Sequence, residues 1–234
     1  MTSTAVRTQL WDALATVRDP ELDEPITDLG FVTEAAVQSG HAVIRLRLPT
    51  YFCAPNFAYL MVADARDAAR AVPGVSSADV RLEDHFASEE INAGVAEEAG
   101  FAGTFPEQAL AEADSGVGEL EELRLIFRRK AYLACLDRLG TRLVRDGRTA
   151  EQIAGLRLGD VPDSAERRSL LRRREDLGLD VSPGSPLLLD EHGARVEPQQ
   201  AALRLRFARA VRVSIEGNAG FCRGLLHTRY PEVG

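Results

Sequence analysis

The sequence predicts an α+β fold: a small helix–strand–strand–helix–strand domain with a three-stranded sheet and helices, followed by a mainly α-helical domain. Two observations predict it. Up to about residue 82, stretches with period-2 alternation lie between stretches with helical spacing, whereas beyond residue 119 helical spacing dominates. The charge also divides. Residues 1–118 carry 7 Arg and 19 Asp or Glu, a net −12, while residues 119–234 carry a net +4 within the overall −8. Such asymmetry between halves points to two units with different tasks. We therefore expect one domain over 1–106, a linker over 107–118 and a helical, partner-binding domain with a small hairpin over 119–234.

Taken in order, Val6, Leu10, Ala13, Leu14 and Val17 give a first helix over 4–17, with Ser3 or Thr4 as its N-cap oxygen. Arg18-Asp19-Pro20 ends it, because a residue before proline is pushed out of the α region. After the polar loop closing on Gly30, residues 31–37 and 42–48 alternate around Ser39-Gly40, which reads as a β-hairpin. A second helix starts after Pro55, with Phe57, Leu60, Met61, Ala65, Ala68 and Val72 as its apolar stripe. Pro73-Gly74 stops it, and 75–82 is a third strand. A weak helix over 88–99 and a Gly-Phe-Ala-Gly turn follow.

The second half opens on a long helix over 119–145, acidic at its start and basic at its end, as the helix dipole favours. Residues 149–153 read as a short capped helix, 164–177 as another, 187–196 as a small hairpin and 199–215 as a final helix. The tail from Gly217 to Gly234 reads as irregular.

Several function classes drop out. Three cysteines make no disulfide framework, which fits a cytoplasmic protein. No apolar run reaches the ~20 residues that cross a bilayer, so no membrane association is expected. Phosphate-loop, dinucleotide, zinc-protease and serine-hydrolase motifs are all missing from the sequence. Arg167, Arg168, Arg172, Arg173 and Arg174 form a basic helical cluster. No aromatic residue is interleaved and Glu166, Glu175 and Asp176 dilute the charge, which favours a solvated or partner-facing helix over nucleic-acid binding.

Cys53 is the most informative position. It stands after a strand and at the entrance of a helix, where unpaired amides suit a thiolate nucleophile or soft metal ligand. The alternative is a packed, inert thiol. The carboxylates Asp19, Glu21, Asp23, Glu24 and Asp28 form either a hard-cation loop or a solvated turn. His41 and His85 border the strands. Cys135, among Leu133, Leu136 and Leu139, reads as a core residue. Cys222 and His227 would sit roughly 140° apart on a helix and lack the second pair of a closed zinc site.

Asp19-Pro20-Glu21, Asp28-Leu29-Gly30-Phe31-Val32, Thr50-x-x-Cys53 with Pro55, Pro73-Gly74-Val75 and Val80-x-Leu82 occur in one order. Together they resemble the PaaD/SufT-like metal–sulfur (iron–sulfur) cluster assembly factor family, over about residues 5–106. The family usually has a small residue before a Cys-Pro pair; here Phe52 precedes Cys53-Ala54-Pro55. The resemblance implies an α/β sandwich and a non-catalytic maturation role, with the working cysteine at Cys53 and an acidic signature at Asp19 and Glu21. It also implies transient iron or an iron–sulfur cluster as cargo, with none stably bound. The expected metal contacts are Cys53, Asp19, Glu21 and His85; the expected partner contacts are Phe52, Arg167, Arg168, Arg172 and Arg173. Implied partners are a client metalloenzyme, such as a component of a bacterial multicomponent (diiron) monooxygenase, or the assembly machinery, with a homodimer also compatible. The alternatives are a metal-free, chaperone-like scaffold for oxygenase subunits and, ranked last, a cysteine-dependent enzyme needing His41 or His85 as base.

Overall fold

The computed structural model describes residues 3–107 and 119–231, so almost all of the expected 107–118 linker lies outside the described residues. The chain divides into two compact units, Met1–Glu122 with Asn218–Gly234, and Leu123–Gly217.

In the first unit, α1 spans Ser3–Leu14, β1 Val32–Gln38, β2 His41–Arg47, α2 Pro55–Arg70 and β3 Ser77–Glu83, in the expected order. Helix α1 stops three residues short of Val17. The Thr16 hydroxyl donates to the Ala13 carbonyl at 2.7 Å, and the last turn tightens there, ahead of Pro20. The sheet order is β1-β2-β3, antiparallel between β1 and β2 and parallel between β2 and β3, with α2 as the crossover. The two-residue loop Ser39-Gly40 has positive φ at both positions (50° and 81°), the conformation a tight hairpin needs to match strand twist.

Strand β2 shows why the alternation was legible. Ala42, Ile44 and Leu46 are buried on one face. Arg45 and Arg47 on the other pair with Asp79 and Glu83 of β3, each at 3.1 Å. The buried face packs with Leu10, Leu14, Phe31, Ala58, Met61 and Ala65 into one core.

Two short helices follow: α3 (Ser88–Ala96) and α4 (Gly100–Thr104), the latter where a turn was expected. Positive φ at Glu98 and Gly100 separates them, and Phe101 is buried edge-on to Tyr59, with ring centroids 5.6 Å apart. A Cβ at Gly94 would fall 1.9 Å from Thr104 Oγ1, so the two helices meet this closely only because residue 94 is glycine.

The second unit contains most of α5 (Glu119–Arg145), then α6 (Ala150–Gly155), α7 (Ala165–Asp176) and the start of α8 (Pro198–Arg229). Thr149 and Gln152 form a capping box on α6, and Ser164 caps α7. The segment expected as a hairpin folds back with a single bridge, Leu189 to Arg195. Cys135 is buried with Leu133, Leu136 and Leu139, as its spacing suggested.

The expected irregular tail is instead helix: α8 continues to Arg229. Gly217, Gly220 and Gly224 each cost about 1 kcal/mol of helix propensity. Ala219 and Leu226, spaced for one face, are nonetheless buried on the first unit's core, and Cys222 packs beside them. Packing offsets the glycines, and no proline intervenes before Pro231.

Candidate functional site

Cys53 ends the loop from β2 into α2. Ala54 holds the N-cap position with no side-chain cap, and Pro55 fills the first turn, where its missing N–H costs nothing. The thiol is half-buried, with Sγ 3.3 Å from Thr50 Oγ1. The backbone beside it is fixed by His85, which is only 3% exposed. His85 Nδ1 accepts from the Ala87 amide at 3.2 Å, so its Nε2 donates to the Cys53 carbonyl at 2.8 Å. Burial, and then the Arg229 charge, hold the imidazole below its ordinary pKa and keep it neutral. His85 therefore orients the Cys53 main chain, with both ring nitrogens occupied. His41 bonds Ser77 at 2.8 Å, at the sheet end where the β1–β2 loop turns.

Around Cys53 stands a group of exposed aromatic rings. Phe52 is 78% exposed; its ring lies 5.1 Å from Tyr51 and 6.4 Å from Phe86. Tyr51 and Phe86 are also exposed, and the Phe86 amide donates to the Tyr51 carbonyl at 3.2 Å. Sequence reasoning singled out Phe52 but missed Phe86, because only the pairing of these loops brings it alongside.

Asp19 is buried, and its Oδ1 accepts from the Glu21 and Leu22 amides at 2.9 and 2.8 Å. This is the turn role of an Asx residue. Burial dominates its ionisation and raises the pKa to about 6. Glu21 and Glu24 engage α8 instead: Asn218 Nδ2 donates to Glu21 Oε1 at 3.1 Å, and Arg223 pairs with Glu24. Leu226 lies against the Gly30 turn, and Arg229 donates to the carbonyls of Leu48 and Asp84. Cys222, between these anchors, is close enough to Asp19, Cys53 and Glu21 for their charges to act on its thiol. Burial first, then those three groups, push that thiol up to about 11. The signal for Cys222 was the spacing Ala219, Cys222, Leu226, hidden among glycines. Among the described residues, no three His, Cys, Asp or Glu side chains are grouped to hold a metal ion.

On α7, Arg168 pairs with Asp163, Arg173 with Asp176, and Arg172 donates to Ser169 at 2.9 Å. Arg167 Nε donates to the Leu158 carbonyl at 3.2 Å. Arg174 is fully buried and donates to Ser185 and to the carbonyls of Asp180, Pro186 and Leu187. It is a structural clamp. A concavity of about 300 Å³, lined by Tyr59, Arg66, Arg70 and Glu98 among others, has both arginines paired to Glu98. Among the described residues no helix is long and apolar enough to cross a membrane.

Residues 7–80 match the family described as iron–sulfur cluster assembly protein. This stretch runs from α1 into β3 and contains Asp19, Glu21, Phe52 and Cys53, while α8 lies beyond it. No curated protein matches the chain.

Proposed function

We propose, taking residues 7–80 as the iron–sulfur cluster assembly domain they match, that the protein is a non-catalytic maturation factor that holds iron or a cluster transiently at Cys53. The observation that carries this reading is the placement of Cys53: a half-buried thiol at a helix entrance, its main chain held by His85, ringed by exposed Tyr51, Phe52 and Phe86. A cluster normally takes four protein ligands, so cargo at Cys53 is completed by other thiols or a partner's groups. That suits transfer rather than storage.

The three rings are the contact for the client or assembly machinery, since exposed aromatic side chains clustered at one place mark protein interaction sites. The expected client is a metalloenzyme such as a bacterial oxygenase component. The basic face of α7, with Arg167, Arg168, Arg172 and Arg173, supplies a second contact for an acidic surface. Thiol chemistry on a substrate is less well supported: the Cys53 sulfur meets the Thr50 hydroxyl, while His85 is committed to the Cys53 carbonyl.

Anaerobic incubation with ferrous iron and sulfide, followed by desalting and visible absorption, tests the reading. Cys53→Ser is expected to lose the thiolate-to-iron absorption that wild type acquires. Equal, negligible uptake by both proteins would leave the metal-free scaffold. Affinity capture from the native host then identifies the client.

A further inference from the structure

We propose that the solvent face of α8 within the second unit is a docking surface for an acidic amphipathic helix of a partner protein. The surface lies outside the matched 7–80 stretch and stands apart from the Cys53 reading.

Helix α8 is apolar on two opposite sides there. Ala201, Ala208 and Ile215 are buried on one side, and Leu205 and Val211 pack against the second unit's core. On the other side Leu203, Phe207 and Val213 are 64%, 48% and 53% exposed, and Ala210 among them is exposed too. At 100° per residue these four share one stripe. Bulky apolar side chains held in water on a helix's outer face gain nothing until that face is covered. Arg204 lies over the Phe207 ring, 5.4 Å from its centroid, and helps to hold it in place. Ala210 is the small residue of the stripe, with larger side chains on each side. It leaves a low point that suits an incoming apolar side chain, as a knob enters a hole between helices.

Charge sets the sign of the partner. No Asp or Glu occurs from Pro198 to Ile215, whereas Arg204, Arg206, Arg209 and Arg212 all do. Arg204 pairs with Glu191, and Arg212 with Asp137 and Glu216, so both are balanced within the protein. Arg206 and Arg209 are exposed and have no ion-pair partner among the described residues. Arg206 is one turn from Leu203 and Ala210, and Arg209 is one turn from Val213, so both border the apolar stripe. A helix with carboxylates beside an apolar stripe satisfies both features at once. A second copy of this face would set arginine against arginine. A nucleic acid would press its phosphates on Leu203 and Phe207, losing their hydration. A membrane-surface helix carries its bulkiest residues at the deepest point, and here that point is Ala210.

The test is fluorescence anisotropy of a labelled synthetic amphipathic helical peptide, with leucines on one face and glutamates beside them, titrated with the full chain. Saturable binding is expected, weakening as ionic strength rises. Arg206→Glu with Arg209→Glu, and separately Leu203→Ser with Phe207→Ser, are each expected to weaken it roughly tenfold or more. Phe221→Ser, exposed on the same helix but in the first unit, should leave it unchanged. The altered side chains are all exposed, so the variants keep the fold, which urea unfolding verifies. In protein otherwise unmutated, p-benzoylphenylalanine at position 207 should cross-link the peptide on illumination. Failure of the peptide to bind, binding unaffected by both double variants, or equal binding of a peptide with lysines for glutamates overturns the proposal. So does either rival occupant. One is binding to vesicles of phosphatidylserine and phosphatidylcholine in place of the peptide; the other is a concentration-dependent dimer that both double variants abolish.

Discussion

Asn218 Nδ2 donates to Glu21 Oε1 at 3.1 Å, joining residues 197 positions apart. This contact, with the Arg223–Glu24 pair beside it, seats a helix from the end of the chain on the acidic loop near its beginning. The acidic loop is thus in part a docking surface for the protein's own last helix.

Leu226 tests that seating. It is buried against the Gly30 turn, so Leu226→Ala should destabilise the first unit by about 2–4 kcal/mol, read by urea unfolding. The exposed Phe221→Ala, one turn away, should change stability by less than about 0.5 kcal/mol.

His85 should produce an acid-side loss of stability. Its pKa is held below the ordinary 6.5, so the unfolded chain takes up the proton first as pH falls. The stability it contributes is whole above pH 6.5 and is lost as pH falls through the lower folded-state value. His85→Gln, which keeps a donor for the Cys53 carbonyl, should flatten that part of the stability–pH curve; His85→Ala should cost about 1–3 kcal/mol at pH 8 by leaving the carbonyl unpaired.

Asp19 has the opposite sign. Its carboxyl, raised from 3.8 to about 6, binds a proton more tightly folded than unfolded. Its protonation favours the folded state below pH 4, and that advantage is lost as pH rises to about 6. Asp19→Asn should abolish the effect, gaining on wild type by on the order of 2 kcal/mol between pH 4 and pH 7. Paired denaturation curves across that range check it.

Phe52→Ser should leave the melting temperature nearly unchanged, because the ring is 78% exposed, yet abolish client capture in a pull-down from the native host. Retained capture would move the contact away from the ring cluster.

Arg174→Lys should unfold the second unit at lower denaturant than wild type. A lysine cannot reproduce the planar fork that serves the carbonyls of Asp180, Pro186 and Leu187 together with Ser185. The expected cost is about 3 kcal/mol, read from the unfolding midpoint.

Local pattern alone carried the order of elements in residues 1–83, because alternation on β2 and the 3.6-residue stripe on α2 each record which face is buried. It also marked Cys53, whose setting is made by its neighbours Pro55 and Thr50. Cys135 was legible for the same reason. The tail was not: Gly217, Gly220 and Gly224 lower helix propensity, and the energy that overrides them comes from residues near the start of the chain.

Composition, periodicity and short motifs thus determined the α+β domain, its helical companion and the place of Cys53 at a helix entrance, since each depends on interactions within a few residues. Tertiary structure alone decided that His85 holds the Cys53 backbone, that Phe86 joins Phe52, that Arg174 is a buried clamp, and that Cys222 packs against the core of the first unit. These are contacts between residues far apart in the chain, and their energies depend on burial and on charges brought together only by folding.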